Sequence, residues 1–317
     1  MPELSCTWVL ESCELGVAHP IAHLSCVGFA LELVAESSRR GRNSIRDRLV
    51  QSSVSIDRGS KLKPETALGK QLQTFNRIAG LFHLAQALVL FLILDDAAKI
   101  PVITRFFDET PQGIQPVSET LFDFPISLIA PIFLLLSAFA HLMISAPFYI
   151  QRYEQNIAKG INPPRWWEYS ISSSLMLVVL LMLGGLIEVS TVVFIFTLNF
   201  IMNLMGLVME RYNQLTDKVS WLPFNVGVVA GIVPWIMGAI YFIVSTGNIS
   251  DAVPAYAQIG FLATFIFFNT FAINMFLQYK KVGPWRSYPF GEKAYIVLSL
   301  VAKSVLGWVI VLGTMGV

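Results

Sequence analysis

The stretch that decides the fold is residues 289–311, PFGEKAYIVLSLVAKSVLGWVIV. It is long and apolar enough to cross a bilayer, which takes about 17–25 residues, and it carries Lys303 in its interior. No other lysine lies well inside an apolar segment of this chain. A charged lysine at mid-bilayer costs at least ~3 kcal/mol on insertion scales, so packing alone does not account for it. Three explanations stand: the amine pairs with an acid, it takes part in moving an ion, or it is covalently occupied as a Schiff base.

Six further apolar segments precede this one, roughly 78–94, 125–150, 166–186, 191–209, 222–244 and 259–277. Hydrophobic residues make up 55% of the chain and charged residues 14%, well below the ~25% of a soluble domain. The fold class read from this is an all-α membrane protein, a seven-transmembrane-helix bundle over residues 71–317. The third and fourth segments are joined by only a few residues, so they should be antiparallel neighbours. The linker 95–124 contains PVITRFF, then DETPQG, then IQPV. It fits a β-hairpin with a Pro/Gly turn, and equally an irregular loop.

Residues 1–70 read as a cytoplasmic N-terminal extension, more polar than the rest, with a cluster at Arg39, Arg40, Arg42, Arg46 and Arg48. The expectation is a disordered tail with no assigned function. All three cysteines, Cys6, Cys13 and Cys26, fall there, which leaves the membrane region without a thiolate metal site. No HExxH, P-loop, GxGxxG or GxSxG pattern occurs, so the soluble-enzyme motifs are absent and the chain reads as a non-enzyme. The net charge of +1 says nothing about nucleic acid, and no nucleic-acid partner is expected of a chain of this membrane class.

Orientation follows from lysine and arginine in the flanks. Lys61, Lys63, Lys70 and Arg77 precede the first segment, and Arg152, Lys159 and Arg165 lie between the second and third. Arg211 and Lys218 separate the fourth and fifth, and Lys280, Lys281 and Arg286 the sixth and seventh. The opposite side has Lys99 and Arg105 among Asp95, Asp96, Asp108, Glu109, Glu119, Asp123, Glu188 and Asp251. The expectation is a plasma-membrane protein with its N-terminus inside and its C-terminus outside.

Ionisable groups inside the segments are the candidates for function. Glu168 stands near the start of the third segment, where an interfacial pairing with Arg165 at i, i+3 competes with a pairing across to Lys303. Glu292 precedes Lys303 by eleven residues on one helix, about 16 Å at 1.5 Å per residue, too far to reach. Glu168 is therefore the acid left for Lys303, although by counting it lies nearer the cytoplasmic edge. His83, with Gln86 at i+3, and His141 fall on the same side of the membrane as Glu168. They fit either structural hydrogen bonding or a polar cluster able to accept a proton. Ser299, one turn before Lys303, either bonds near the nitrogen or bonds back to its own helix. Trp235, which follows Pro234, and a phenylalanine run that includes Phe268 could wall a long, flat apolar ligand. Ionisable groups are offered mainly on one side of Lys303, whereas a proton pump needs them on both.

Taken together, these features resemble the heliorhodopsins. The resemblance covers about residues 75–317. It rests on Ser299-x-x-x-Lys303, on the stretch Arg165 to Tyr169 followed by Ser172-Ser173-Ser174, on His83 with Gln86, on His141, and on the inverted topology. It implies that Lys303 carries all-trans retinal as a protonated Schiff base with Glu168 as counterion and Ser299 nearby. His83 and His141 would belong to a polar cavity that receives the proton. It also implies a homodimer in membrane lipid, with the outer hairpin contributing to the contact; loss of the Lys303–Glu168 attraction could then shift a helix packing that an unknown cytoplasmic signalling partner reads. Residues 1–60 have no counterpart in that family pattern. The leading reading is a light sensor that does not pump ions, and the next a light-gated proton channel of the same fold. A retinal-free transporter with an ion-coupled Lys303–Glu168 site stands third, and an intramembrane enzyme last.

Overall fold

The computed structural model describes residues 67–94, 98–249 and 255–314. The expected disordered tail lies outside the described residues. Helix α1 spans Ala67–Leu92 and is followed by strands β1, Lys99–Thr110, and β2, Gly113–Pro125. Then come α2 (Ile129–Ile144), α3 (Ile150–Ala158), α4 (Pro163–Leu183), α5 (Val189–Tyr212), α6 (Leu222–Ile249), α7 (Ala255–Tyr279) and α8 (Tyr288–Thr314). Among the described residues, seven helices are long and apolar enough to span a membrane, namely these without α3. The seven-helix expectation is borne out. Leu92, Phe139, Val229 and Ile243 are more than half exposed on the outside of the bundle, as side chains that meet lipid are.

The helices close a ring in which α1 packs on α2, α2 on α4, α4 on α5, α5 on α6, and α7 on α8, with α8 returning to α1 and α2. Trp235 of α6 stacks edge-on against Phe261, Phe265 and Phe268 of α7 and links those two. The α4–α5 connection turns at Gly185, whose φ of 96° is open to glycine at little cost. The tight, antiparallel α4–α5 pairing follows from it.

Two local departures from the sequence reading have clear causes. The second segment ends at Ile144 rather than Ile150, because Pro147 disfavours helix at the residue before it and Ser145 Oγ turns back onto the carbonyl of His141 at 2.7 Å. Residues beyond it form the short amphipathic α3, whose Ile150, Tyr153 and Ile157 pack with Leu72 and Ile144. Nine residues are too few to span. The linker is a hairpin, longer than the residues that suggested it, with Lys99 opposite Pro125 and a register break after Val102. Pro111 occupies the second turn position and Gly113, φ 96°, the fourth, positions these residues favour.

The hairpin is tied to the bundle through Ile103, whose N–H donates to the Ile187 carbonyl at 3.1 Å. Next to it Glu188 caps α5, accepting from the Thr191 N–H at 3.0 Å and from the Ser190 hydroxyl. That hydroxyl first, and the Thr191 groups after it, hold the Glu188 carboxyl below its ordinary value of 4.5. A depressed carboxyl stabilises the fold above its ordinary range and stops doing so as pH falls through the folded-state value. Glu188→Ala is expected to cost about 1 kcal/mol at neutral pH, and the gap to wild type should close as the pH drops below the carboxylate range. Thermal denaturation near pH 7 and near pH 3 checks both parts.

Candidate functional site

Lys303 is 3% exposed, and its Nζ lies 2.5 Å from Glu168 Oε1. The sequence left a gap between them, since Glu168 is only five residues into its helix. The structure closes it from both sides. The start of α4 is inside the protein: Asn162, its N-cap, is 1% exposed and accepts from the Arg165 N–H at 3.4 Å, with two prolines in the first turn. The lysine side chain, like helical side chains generally, leans toward the N-terminus of its own helix, and in α8 that is toward Glu168.

A third residue completes the pair. Lys303 Nζ donates to Ser137 Oγ at 2.5 Å, and that hydroxyl donates to Glu168 Oε1 at 2.6 Å. Ser137 joins α2 to α4 and α8 at one point. The sequence signal for it was its place one turn before His141 on the same face of the second segment. Tyr169 puts its ring 5.1 Å from Nζ and donates its hydroxyl to the Tyr295 carbonyl at 3.0 Å.

His83 and His141 stack face to face, ring centres 5.7 Å apart and 12° from parallel. His141 Nδ1 is 2.7 Å from Asn76 Oδ1. The Asn76 amide nitrogen donates to the Leu72 carbonyl and to the Tyr153 hydroxyl, so its oxygen accepts and the proton of His141 sits on Nδ1. Both nitrogens of His83 are buried without a partner among the described residues, while Ser299 Oγ makes no bond to a backbone carbonyl and lies against the Tyr169 hydroxyl. Ser299 therefore does not bond back to its own helix. Gln86 does not join the histidines: it accepts from Trp308 Nε1 at 3.2 Å, beyond Lys303 toward the hairpin end.

Arg165 is the main correction. The sequence offered it as a flanking cation, a partner for Glu168, or a site residue. It is 6% exposed and binds two other acids, Glu210 of α5 at 2.5 Å and Glu292 of α8 in a closer contact. The cause is the inward placement of the α4 N-terminus, which points the guanidinium between α5 and α8. Glu292 was rejected as a partner for Lys303, correctly by distance, but the same reasoning left it without one. Glu210, one residue past the fourth apolar segment as read from the sequence, is 1% exposed. No local pattern marks such a triad, because its members come from three helices.

Beside Lys303 a narrow cavity is walled by Tyr169, Ser173, Met176, Met202, Phe268 and Phe271. Met202, Asn203, Phe268 and Phe271 also line a larger cavity of about 140 Å³ between α5, α6 and α7, which reaches Trp235. Trp235 and Phe268 thus stand where an apolar ligand rooted at Lys303 would lie. Glycines keep that wall open: a Cβ at Gly231 would come within 2.3 Å of Met202 Sδ. Toward the hairpin end the packing turns mainly apolar, with Leu90, Phe133, Leu134, Leu177, Leu306 and Ile310 buried together and the Gln86–Trp308 bond as a polar contact among them. Among the described residues no group of three acids, histidines or cysteines is placed to hold a metal.

A family model described as Heliorhodopsin matches residues 72–315. No curated protein matches closely enough to count as a relative.

Proposed function

Because the chain belongs to the heliorhodopsin family, we propose that it is a light sensor that carries all-trans retinal on Lys303 and signals by a change of helix packing without pumping ions. The observation that carries this is the buried Lys303–Glu168–Ser137 unit opening onto an aromatic cavity. The residues present fit the group: one buried amine, one anion within 2.5 Å of it, a buried serine at Ser299 one turn before the amine, and apolar walls of the kind that hold flat ligands. Retinal bound there supplies the visible absorption and the light-driven change of shape.

The chain's own residues do the rest. Glu168 stabilises a proton on the Lys303 nitrogen, and Ser137 fixes both in place. Tyr169, Phe268, Phe271 and Trp235 exclude water from the cavity. Loss of the proton from the nitrogen removes an attraction of about 4 kcal/mol at 4 Å and an effective dielectric of about 20. That attraction joins α2, α4 and α8, so its loss biases how they pack. We place the polar half of the bundle in the cytoplasm, on the flanking charges, and with it the surface a signalling partner reads. Exposed Phe107, Ile114 and Phe122 on the hairpin support a homodimer formed through that face.

The mainly apolar packing beyond Lys303 supports a sensor over a channel, since a conducting path needs polar groups along its whole length. Under voltage clamp, illuminated cells expressing the full chain are expected to show no steady photocurrent. A sustained current that reverses near the proton equilibrium potential would replace the sensor by the channel.

A further inference from the structure

The Arg165–Glu210–Glu292 cluster has no part in the function proposed so far, and its charge does not balance. One guanidinium serves two carboxylates, a formal charge of −1 in a site where Arg165 is 6% exposed and each acid 1%. A chain holds such a charge in its interior only with many donors, and the donors are there. Glu292 Oε1 accepts from Asn162 Nδ2 at 2.5 Å and from the Tyr153 hydroxyl at 3.3 Å. Glu210 accepts from the Tyr288 hydroxyl and from the Asn162 N–H, both at 2.8 Å. The Arg165 guanidinium lies 4.0 Å above the Tyr295 ring. Burial holds the Tyr153 hydroxyl well above its ordinary pKa, so it stays a donor. The cluster holds two carboxyl groups and one cation, and with both carboxyls ionised it is one proton short of neutral.

It also lies next to the Lys303 site. A cavity of about 20 Å³ is lined by Glu168, His141, Asn76, Asn162, Arg165 and Glu292. That is room for one water, which needs roughly 10–15 Å³ and two to four polar partners. Glu168 and Glu292 both line it. Glu210 does not line it; it sits behind Arg165.

We infer that Glu292 is the proton store of the light cycle: the proton that leaves the Lys303 nitrogen passes Glu168 and the small cavity and comes to rest on Glu292. This rests on the function proposed above. The charges balance at each end. Before transfer, the nitrogen and Glu168 sum to zero and the cluster to −1. Afterwards the nitrogen is neutral, Glu168 alone gives −1, and the cluster, with Glu292 protonated, is zero. One bond from nitrogen to hydrogen breaks, one from a Glu292 oxygen to hydrogen forms, and no charge leaves the protein. The histidines are poorer stores. His141 would take a proton on Nε2, since Nδ1 already donates to Asn76, and neither nitrogen of His83 has a partner among the described residues. A proton there would create a cation with no carboxylate bonded to it, whereas on Glu292 it removes an excess anion.

The test is light-minus-dark infrared spectroscopy of the full chain with retinal, in the carbonyl region of protonated carboxyls. As the species with a deprotonated nitrogen forms, a positive carboxyl band should rise and shift down in D2O. It should vanish in Glu292→Gln and persist in Glu210→Gln. Tyr153→Phe, which changes no charge, should keep the visible spectrum and move that band to higher frequency, because Glu292 loses a donor. In the retinal-free protein, acidification alone should raise the same band, again absent in Glu292→Gln. A light-induced band that survives Glu292→Gln and ignores Tyr153→Phe, or a deprotonated species with no carboxyl band, would overturn this inference while leaving the sensor intact. Should Glu292→Gln not fold, the Tyr153→Phe shift alone decides. A folded wild type that gains no visible absorption with retinal would overturn the underlying reading, and this one with it.

Discussion

Lys303→Ala is expected to give a protein with no visible absorption after expression with all-trans retinal, where the wild type shows a visible band. The effect should be complete rather than graded, because a covalent bond to retinal needs an amine and the cavity offers no second one: the groups beside Nζ are a serine, a carboxylate and an aromatic ring. The substitution also leaves Glu168 buried without its cation, and breaking one side of a buried pair costs about 3–5 kcal/mol. A colourless sample therefore has to be shown to be folded. The double variant Lys303→Ala, Glu168→Gln removes both charges and should recover much of that stability while staying colourless. A visible band in either variant would mean that the pigment is held elsewhere. A folded wild type with no band would turn Lys303 and Glu168 into a transport question.

The second large effect is expected at Arg165. Arg165→Gln should lower stability by about 3–5 kcal/mol, the range for uncovering a buried charge, since Glu210 and Glu292 are left facing each other without a cation. Three helices meet at this guanidinium, one residue coming from each of α4, α5 and α8. Its loss should lower the melting temperature of the retinal-free and retinal-bound protein alike. Adding Glu292→Gln to Arg165→Gln should restore part of the loss, because one fewer carboxylate needs a partner. The two substitutions would then be coupled rather than additive, as neighbours in one network are. A loss below about 1 kcal/mol for Arg165→Gln alone would mean that water reaches the cluster and screens its carboxylates.

These expectations differ in how far they could be read from the chain alone. Lys303 could be singled out because insertion cost depends on the residue and its depth, and both are visible in a linear pattern. Glu168 could be reached by elimination once Glu292 was excluded by helix geometry. Arg165 could not be placed. A flanking arginine after Asn162-Pro163-Pro164 has the pattern of a membrane boundary, and only the burial of the α4 start moves it inside. Ser137 was equally hidden, as one serine among many, until α2, α4 and α8 were seen to converge on its hydroxyl. Gln86 shows the reverse: a sequence neighbour of His83 on the same face that bonds instead to Trp308, a turn beyond Lys303.

The sequence by itself determined the membrane class, the seven spans, the buried amine and the aromatic supply for a cavity. These follow from hydropathy, length and single-residue cost, which add up along the chain without reference to where segments meet. Only the tertiary structure decided which acid each cation holds, that α3 lies beside the bundle as a short helix, and that Glu168 and Glu292 line one cavity of about 20 Å³. Pairing energy depends on distances of a few ångströms between helices far apart in sequence, and no local spacing encodes them.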